Sequence, residues 1–117
     1  MKHLFLFLLF FIACSQNSST IETLEKPRFE KLLSKSLLLI DVRTPLEFNS
    51  GSIDGAVNVD YNAPDFMEKI ASFPKDQPVL VYCGSGLRSG LAAKAMDSLG
   101  FVKIYDLKGG YLKWQGY

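Results

Sequence analysis

The strongest constraint on the fold of this chain lies in its apolar runs, which are short, nearly continuous and separated by helix-length segments. SLLLIDV at 36–42 and PVLVY at 78–82 place hydrophobic side chains at successive positions, so both sides of each strand must be covered. AVNV at 56–59 and VKIYD at 102–106 belong to the same length class. The segments between them read as helices. KPRFEKLLSK, 26–35, has Pro27 in its first turn with Phe29, Leu32 and Leu33 on one face, and PDFMEKIASF, 64–73, aligns Phe66, Ile70 and Phe73. Residues 89–99 form a further helix stopped by Gly100. Thr44-Pro45-Leu46-Glu47 carries the residues of a capping box with proline at the first helical position, and Gly51 ends that helix. Strands alternating with helices predict an α/β fold with a parallel central sheet and helices on both faces. In such folds sites form beyond the carboxyl ends of the strands.

The length of 117 residues fits one domain. Ahead of it, MKHLFLFLLFFIA puts Lys2 and His3 before ten apolar residues, about half of the roughly 20 that a spanning helix needs. Residues 1–13 therefore read as a secretory signal peptide. Ala13 directly before Cys14 resembles the cleavage box of bacterial lipoproteins, in which the cysteine is acylated, although Phe11 departs from its usual leucine. The alternative is an ordinary signal peptide with a cysteine near its cut site. Residues 14–25 are expected to be the lipid-anchor cysteine and a polar tether, SQNSST at its centre, and 26–117 the domain. The expected location is exported and periplasm-facing, membrane-anchored through Cys14.

Cleavage before Cys14 removes Lys2 and His3, the sole histidine, and leaves equal numbers of basic and acidic residues. A mature chain without imidazole has no Cys-His pair, no Ser-His-Asp triad and no histidine-ligated metal. Its balanced charge offers no reason to expect nucleic acid. With Cys14 acylated, Cys83 is the one remaining thiol, so neither an internal disulfide nor a tetrahedral zinc site is available. Cys83 is then either an inert core residue or a reactive one.

Its surroundings favour reactivity. VYCGSGLRSG, 81–90, ends a strand at Cys83 and continues through Gly84, Ser85 and Gly86, small residues whose backbone N–H groups can converge on one point. The helix that follows directs its positive end there, and Arg88 adds a cation. Helix N-termini and cationic neighbours favour a thiolate, which would need no separate base.

DVRTPLEFNSGSIDGAVNV, then VYCGSGLRS, then LKGGYLKW together resemble a single-domain rhodanese, a sulfurtransferase, over residues 26–117. The shared spacing is Cys83, Gly86, Arg88, Ser89, followed by Gly109, Gly110 and Trp114. The resemblance implies a Cys83 thiolate that takes sulfane sulfur from thiosulfate or another donor, holds it as a persulfide and passes it to cyanide or a thiol. It also implies that N–H groups of Gly84, Ser85, Gly86, Leu87 and Arg88 cradle the transferred sulfur and that Arg88 attracts an anionic donor. Asp41 and Arg43 are expected to support the loop as a buried ion pair, or else to touch substrate, with Ser89 also in support. Ser52 stands where the family commonly has histidine. Tyr111 and Trp114 read as core or rim packing. No cofactor or metal is expected; the partners are a small sulfur-donor anion and a thiol acceptor, with the membrane reached only through the anchor, and the domain is expected to be a monomer.

Three other readings remain open on sequence. A cysteine phosphatase or arsenate reductase also sets a thiolate in an anion loop closed by arginine, but with five intervening residues where four stand here. Gly84 and Gly86 with Asp106 resemble part of a dinucleotide fingerprint, which belongs to the first unit of a longer fold. A binding module of the same fold would bury an unreactive Cys83.

Overall fold

The computed structural model describes residues 19–117. The signal-peptide and Cys14 readings lie outside the described residues. A five-stranded sheet runs in the order β1-β5-β4-β2-β3, with every neighbouring pair parallel. The strands are β1 (Ile21–Leu24), β2 (Leu38–Asp41), β3 (Val57–Asn58), β4 (Val79–Tyr82) and β5 (Ile104–Leu107). The helices are α1 (Lys26–Leu33), α2 (Pro45–Ser50), α3 (Phe66–Ala71), α4 (Leu87–Ser98) and α5 (Gly110–Trp114).

Side-chain alternation along the central strands divides the core in two. Ile40, Val42, Val79, Val81, Cys83 and Ile104 face α3 and α4, where Phe66, Ile70, Ala92, Ala93 and Met96 close over them. Leu39, Leu80, Tyr82 and Leu107 face Phe29 of α1 and, at the edge, Tyr111 and Trp114 of α5. This two-sided burial is what continuous apolar runs require, and it confirms the parallel sheet with helices on both faces.

Several boundaries shift from the sequence reading, two of them with structural consequences. Residues 21–24, assigned to the tether, form β1, which pairs in full register with β5 and buries Leu24 to 2% exposure. With Glu22 and Thr23 interrupting its apolar residues, this segment has no strand signature of its own, and β5 supplies the pairing that makes it one. The helix read from Ser89 starts at Leu87, so Leu87 and Arg88 belong to the first turn of α4 rather than to a loop.

The connection after β2 leads outward to β3, whereas that after β4 leads the other way to β5. The carboxyl ends of β2 and β4 therefore flank the point where the chain reverses direction across the sheet, the usual place for a binding crevice.

Candidate functional site

Cys83 is the first residue beyond β4 and is fully buried. The chain turns immediately after it. Gly86 adopts φ +106°, a left-handed conformation that a side chain would oppose, and this brings its N–H to 3.0 Å from the Cys83 sulfur. The thiol in turn donates to the Ser89 hydroxyl at 3.3 Å, so an N–H and a hydroxyl both meet Sγ. The first N–H groups of a helix have no acceptor within it, and those of α4 begin at Leu87, directly beyond the turn. The sulfur thus sits at the positive end of a 12-residue helix.

The outer side of the loop is held by α5. The Tyr111 N–H donates to the Cys83 carbonyl at 2.7 Å and that of Leu112 to the Gly84 carbonyl at 3.0 Å. Both carbonyls are thus turned toward α5, while the Gly86 N–H is directed to the sulfur. This contact explains the second glycine of the LKGG stretch: a Cβ on Gly110 would stand 2.5 Å from the Cys83 carbonyl oxygen and 2.6 Å from that of Gly84.

Asp41 and Arg43 form the expected buried pair. Arg43 Nη2 donates to Asp41 Oδ2 at 2.7 Å, and a further bond from the same nitrogen to the Gly51 carbonyl at 2.6 Å ties the end of β2 to the end of α2. The guanidinium lies over the Tyr111 ring, 4.3 Å from its centre. Arg43 is a brace, clamped between Asp41, Gly51 and Tyr111, and supports the loop through Tyr111. Below it the Tyr82 hydroxyl accepts the Ile53 N–H at 3.0 Å, and burial pushes the phenol's ionisation upward.

The Arg88 guanidinium has a partner that the sequence reading did not assign to it: it grips Glu47 with two hydrogen bonds, of 2.7 and 3.0 Å. The pairing holds the Glu47 carboxyl down to about 2. Glu47 completes the capping box of α2 as the sequence reading had it, its amide donating to the Thr44 hydroxyl and its carboxylate accepting from the Thr44 N–H. Its second role, joining α2 to α4, was not legible, because no local pattern marks a partner 41 residues away. Ser85 is exposed at the loop's tip, while Gly84 lies directly under the guanidinium, 3.2 Å from Arg88 Nη2 to a Cβ built there.

An open cleft of about 450 Å³ adjoins the loop, lined by Arg43, Leu46, Glu47, Gly51, Gly84 and Tyr111. Leu46, one of the lining residues, is 79% exposed. Among the described residues no group of carboxylate, histidine and thiol side chains is arranged to hold a metal.

A profile of the rhodanese-like domain family matches residues 25–117. The chain belongs to the rhodanese-like domain family. It is 38% identical over 96 residues to the uncharacterized protein YqhL of Bacillus subtilis, covering 82% of this chain and 74% of that one. It is 36% identical over 81 residues to the thiosulfate sulfurtransferase GlpE of Shewanella oneidensis, covering 69% and 78%. A rhodanese-related protein from Thermoplasma volcanium superposes with a TM-score of 0.71 at 28% identity, covering 82% of this chain and 94% of that one. This rhodanese-like chain therefore has a thiosulfate sulfurtransferase among its relatives.

Proposed function

We propose that the protein is a sulfurtransferase that works through a Cys83 persulfide. The observation that carries this reading is the size and polarity of the cradle: one N–H at 3.0 Å from Sγ, a hydroxyl at 3.3 Å and four residues between Cys83 and Arg88. A loop of four intervening residues is one shorter than that of the cysteine phosphatases, which favours one added sulfur atom over a tetrahedral oxyanion. In the first half-reaction the Cys83 thiolate attacks the sulfane sulfur of a donor, one S–S bond forms as the donor's S–S bond breaks, and sulfite or a thiolate leaves. In the second, a thiol or cyanide attacks the outer sulfur of the persulfide and Cys83 departs as thiolate. Hydrogen bonds and the α4 terminus stabilise negative charge on the sulfur at the start and end of the cycle. Cys83 is fully buried, so donor access requires the 84–86 turn to move, and its glycines lower the cost of that movement.

Intact-mass measurement of the full chain before and after a sulfane donor tests the reading. Wild type should gain one sulfur atom that cyanide removes, and Cys83→Ser should gain none. No gain with thiosulfate, polysulfide or an organic hydropersulfide would refute it and direct attention to phosphate-ester hydrolysis or to simple binding. Export and acylation at Cys14 belong to the same proposal and rest on the leader sequence. Radiolabelled palmitate should be incorporated by wild type in a bacterial host and lost in Cys14→Ala.

A further inference from the structure

Behind the active-site loop lies a carboxyl that the sulfur-transfer cycle does not use. Asp106 is the third residue of β5 and is 5% exposed. It pairs in register with Val81 of β4 and follows Ile104 by two positions, so it points to the α4 side of the sheet, the side that holds Val81 and Cys83. Its Oδ1 is buried without a hydrogen-bond partner. Its Oδ2 lies 3.9 Å from a Cβ built on Gly90, which sets the carboxyl against the first turn of α4 beside Ser89. Burial pushes this carboxyl up to about 6, and the Ser89 hydroxyl acts in the opposite direction. Ser89 is itself fully buried, and its hydroxyl is the group 3.3 Å from the Cys83 sulfur.

We propose that Cys83, Ser89 and Asp106 share one proton, with the Asp106 carboxylate serving as the base that ionises Cys83 through the Ser89 hydroxyl. The Ser89 hydroxyl donates to the Gly86 carbonyl at 3.3 Å; when it turns to Asp106 Oδ2, the Cys83 thiol proton passes to Ser89 Oγ as the hydroxyl's own proton passes to the carboxylate. Negative charge moves from carboxylate to sulfur, and no electrons are exchanged. A serine hydroxyl can do this because it accepts and donates at once and its hydrogen rotates freely between neighbours.

The direction of transfer follows from how each end solvates an anion. A buried charge is tolerated where hydrogen bonds meet it and costs heavily where they do not. The sulfur has the Gly86 N–H at 3.0 Å and the α4 terminus, whereas the carboxylate would carry an unpartnered oxygen. Of the groups facing Asp106 from β1 (Thr23), from β4 and its loop (Val81, Cys83) and from α4 (Ser89, Gly90), Cys83 alone titrates. Lys108, just beyond β5, turns to Glu25 at the surface. The site thus contains an ionisable partner for its cysteine, where the described residues include no histidine. The inference deepens the sulfur-transfer reading, but its test reads only the proton and stands or falls apart from the donor's identity.

The test is a titration of the full, reduced chain, with the Asp106 carboxyl carbon followed by ¹³C NMR and the Cys83 thiolate by its ultraviolet absorbance. Both probes in wild type should report the same two midpoints, separated by about one pH unit or more, because strongly coupled groups titrate as a pair. Cys83→Ser should leave Asp106 a single step below the upper wild-type midpoint. Ser89→Ala should narrow the gap, having removed the shared hydroxyl. A single Asp106 step at one pH in both wild type and Cys83→Ser overturns the proposal, as does a gap that Ser89→Ala leaves unchanged. Failure of persulfide formation with this coupling intact would refute the sulfur-transfer reading alone.

Discussion

Glu47 and Arg88 show how one pair of side chains sets the charge at the mouth of the site. The guanidinium that the family resemblance assigns to an anionic donor is paired with a carboxylate at 2.7 Å. Both partners are partly exposed, which limits their mutual attraction to about 1 kcal/mol. Glu47→Gln keeps the shape and removes the opposing charge, so Arg88 becomes available to an anion. The KM for thiosulfate should fall, by up to about fivefold for an interaction of this size, while that for an uncharged hydropersulfide stays constant. Steady-state kinetics with the two donors measures the difference. Equal responses would show that Arg88 does not reach the donor and acts only as a strut between α2 and α4.

At the scale of elements, the loop's shape depends on α5 as much as on its own glycines. Five residues make a helix too short to be stable alone, and what fixes it is the pair of N–H donations to Cys83 and Gly84 together with the Phe29–Trp114 edge contact. Gly110 sits at φ +61° where a Cβ would overlap two carbonyl oxygens. Gly110→Ala should therefore push α5 away from the loop, with a stability loss on the order of 1–3 kcal/mol from strain and unpaired carbonyls. Persulfide formation should drop with it, since the loop loses what orients its N–H groups. Denaturant unfolding and mass measurement on the same variant separate the two effects. Loss of stability with full sulfur loading would show that α5 does not orient the cradle.

The whole molecule should report its two perturbed carboxyls as opposite limbs of one stability profile. Glu47 is held down to about 2 by Arg88, so between about 2 and its ordinary value of 4.5 the unfolded chain binds more protons and stability rises with pH. Asp106 is pushed up to about 6 by burial, so between its ordinary 3.8 and about 6 the folded chain binds more protons and stability falls as pH rises. The Asp106 contribution is on the order of 3 kcal/mol, present below its ordinary value and gone above about 6. Thermal unfolding across pH should show both limbs. Glu47→Gln should flatten the acid one and Asp106→Asn the falling one; a falling limb that survives in Asp106→Asn would assign it to another group.

Much of this protein was determined by sequence alone, because its signals are local. Two-sided strands appear as unbroken apolar runs, the start of α2 as Thr44-Pro45 with Glu47, and the candidate nucleophile as a thiol between a strand end and two glycines. The Asp41–Arg43 brace is local in the same sense, two positions apart in one short stretch. What only the tertiary structure decided are meetings between distant segments. β1 exists because β5 offers a free edge, Arg88 is neutralised because α2 and α4 bring Glu47 within 2.7 Å, and Gly110 is required because α5 closes on the Cys83 carbonyl. Asp106 reads in sequence as a polar residue at a strand end, and only sheet register places it beside Ser89 on the face that holds Cys83. Local propensity and periodicity act over a few residues, whereas the charge state and geometry of a site are set by groups that the fold alone brings within a few ångströms.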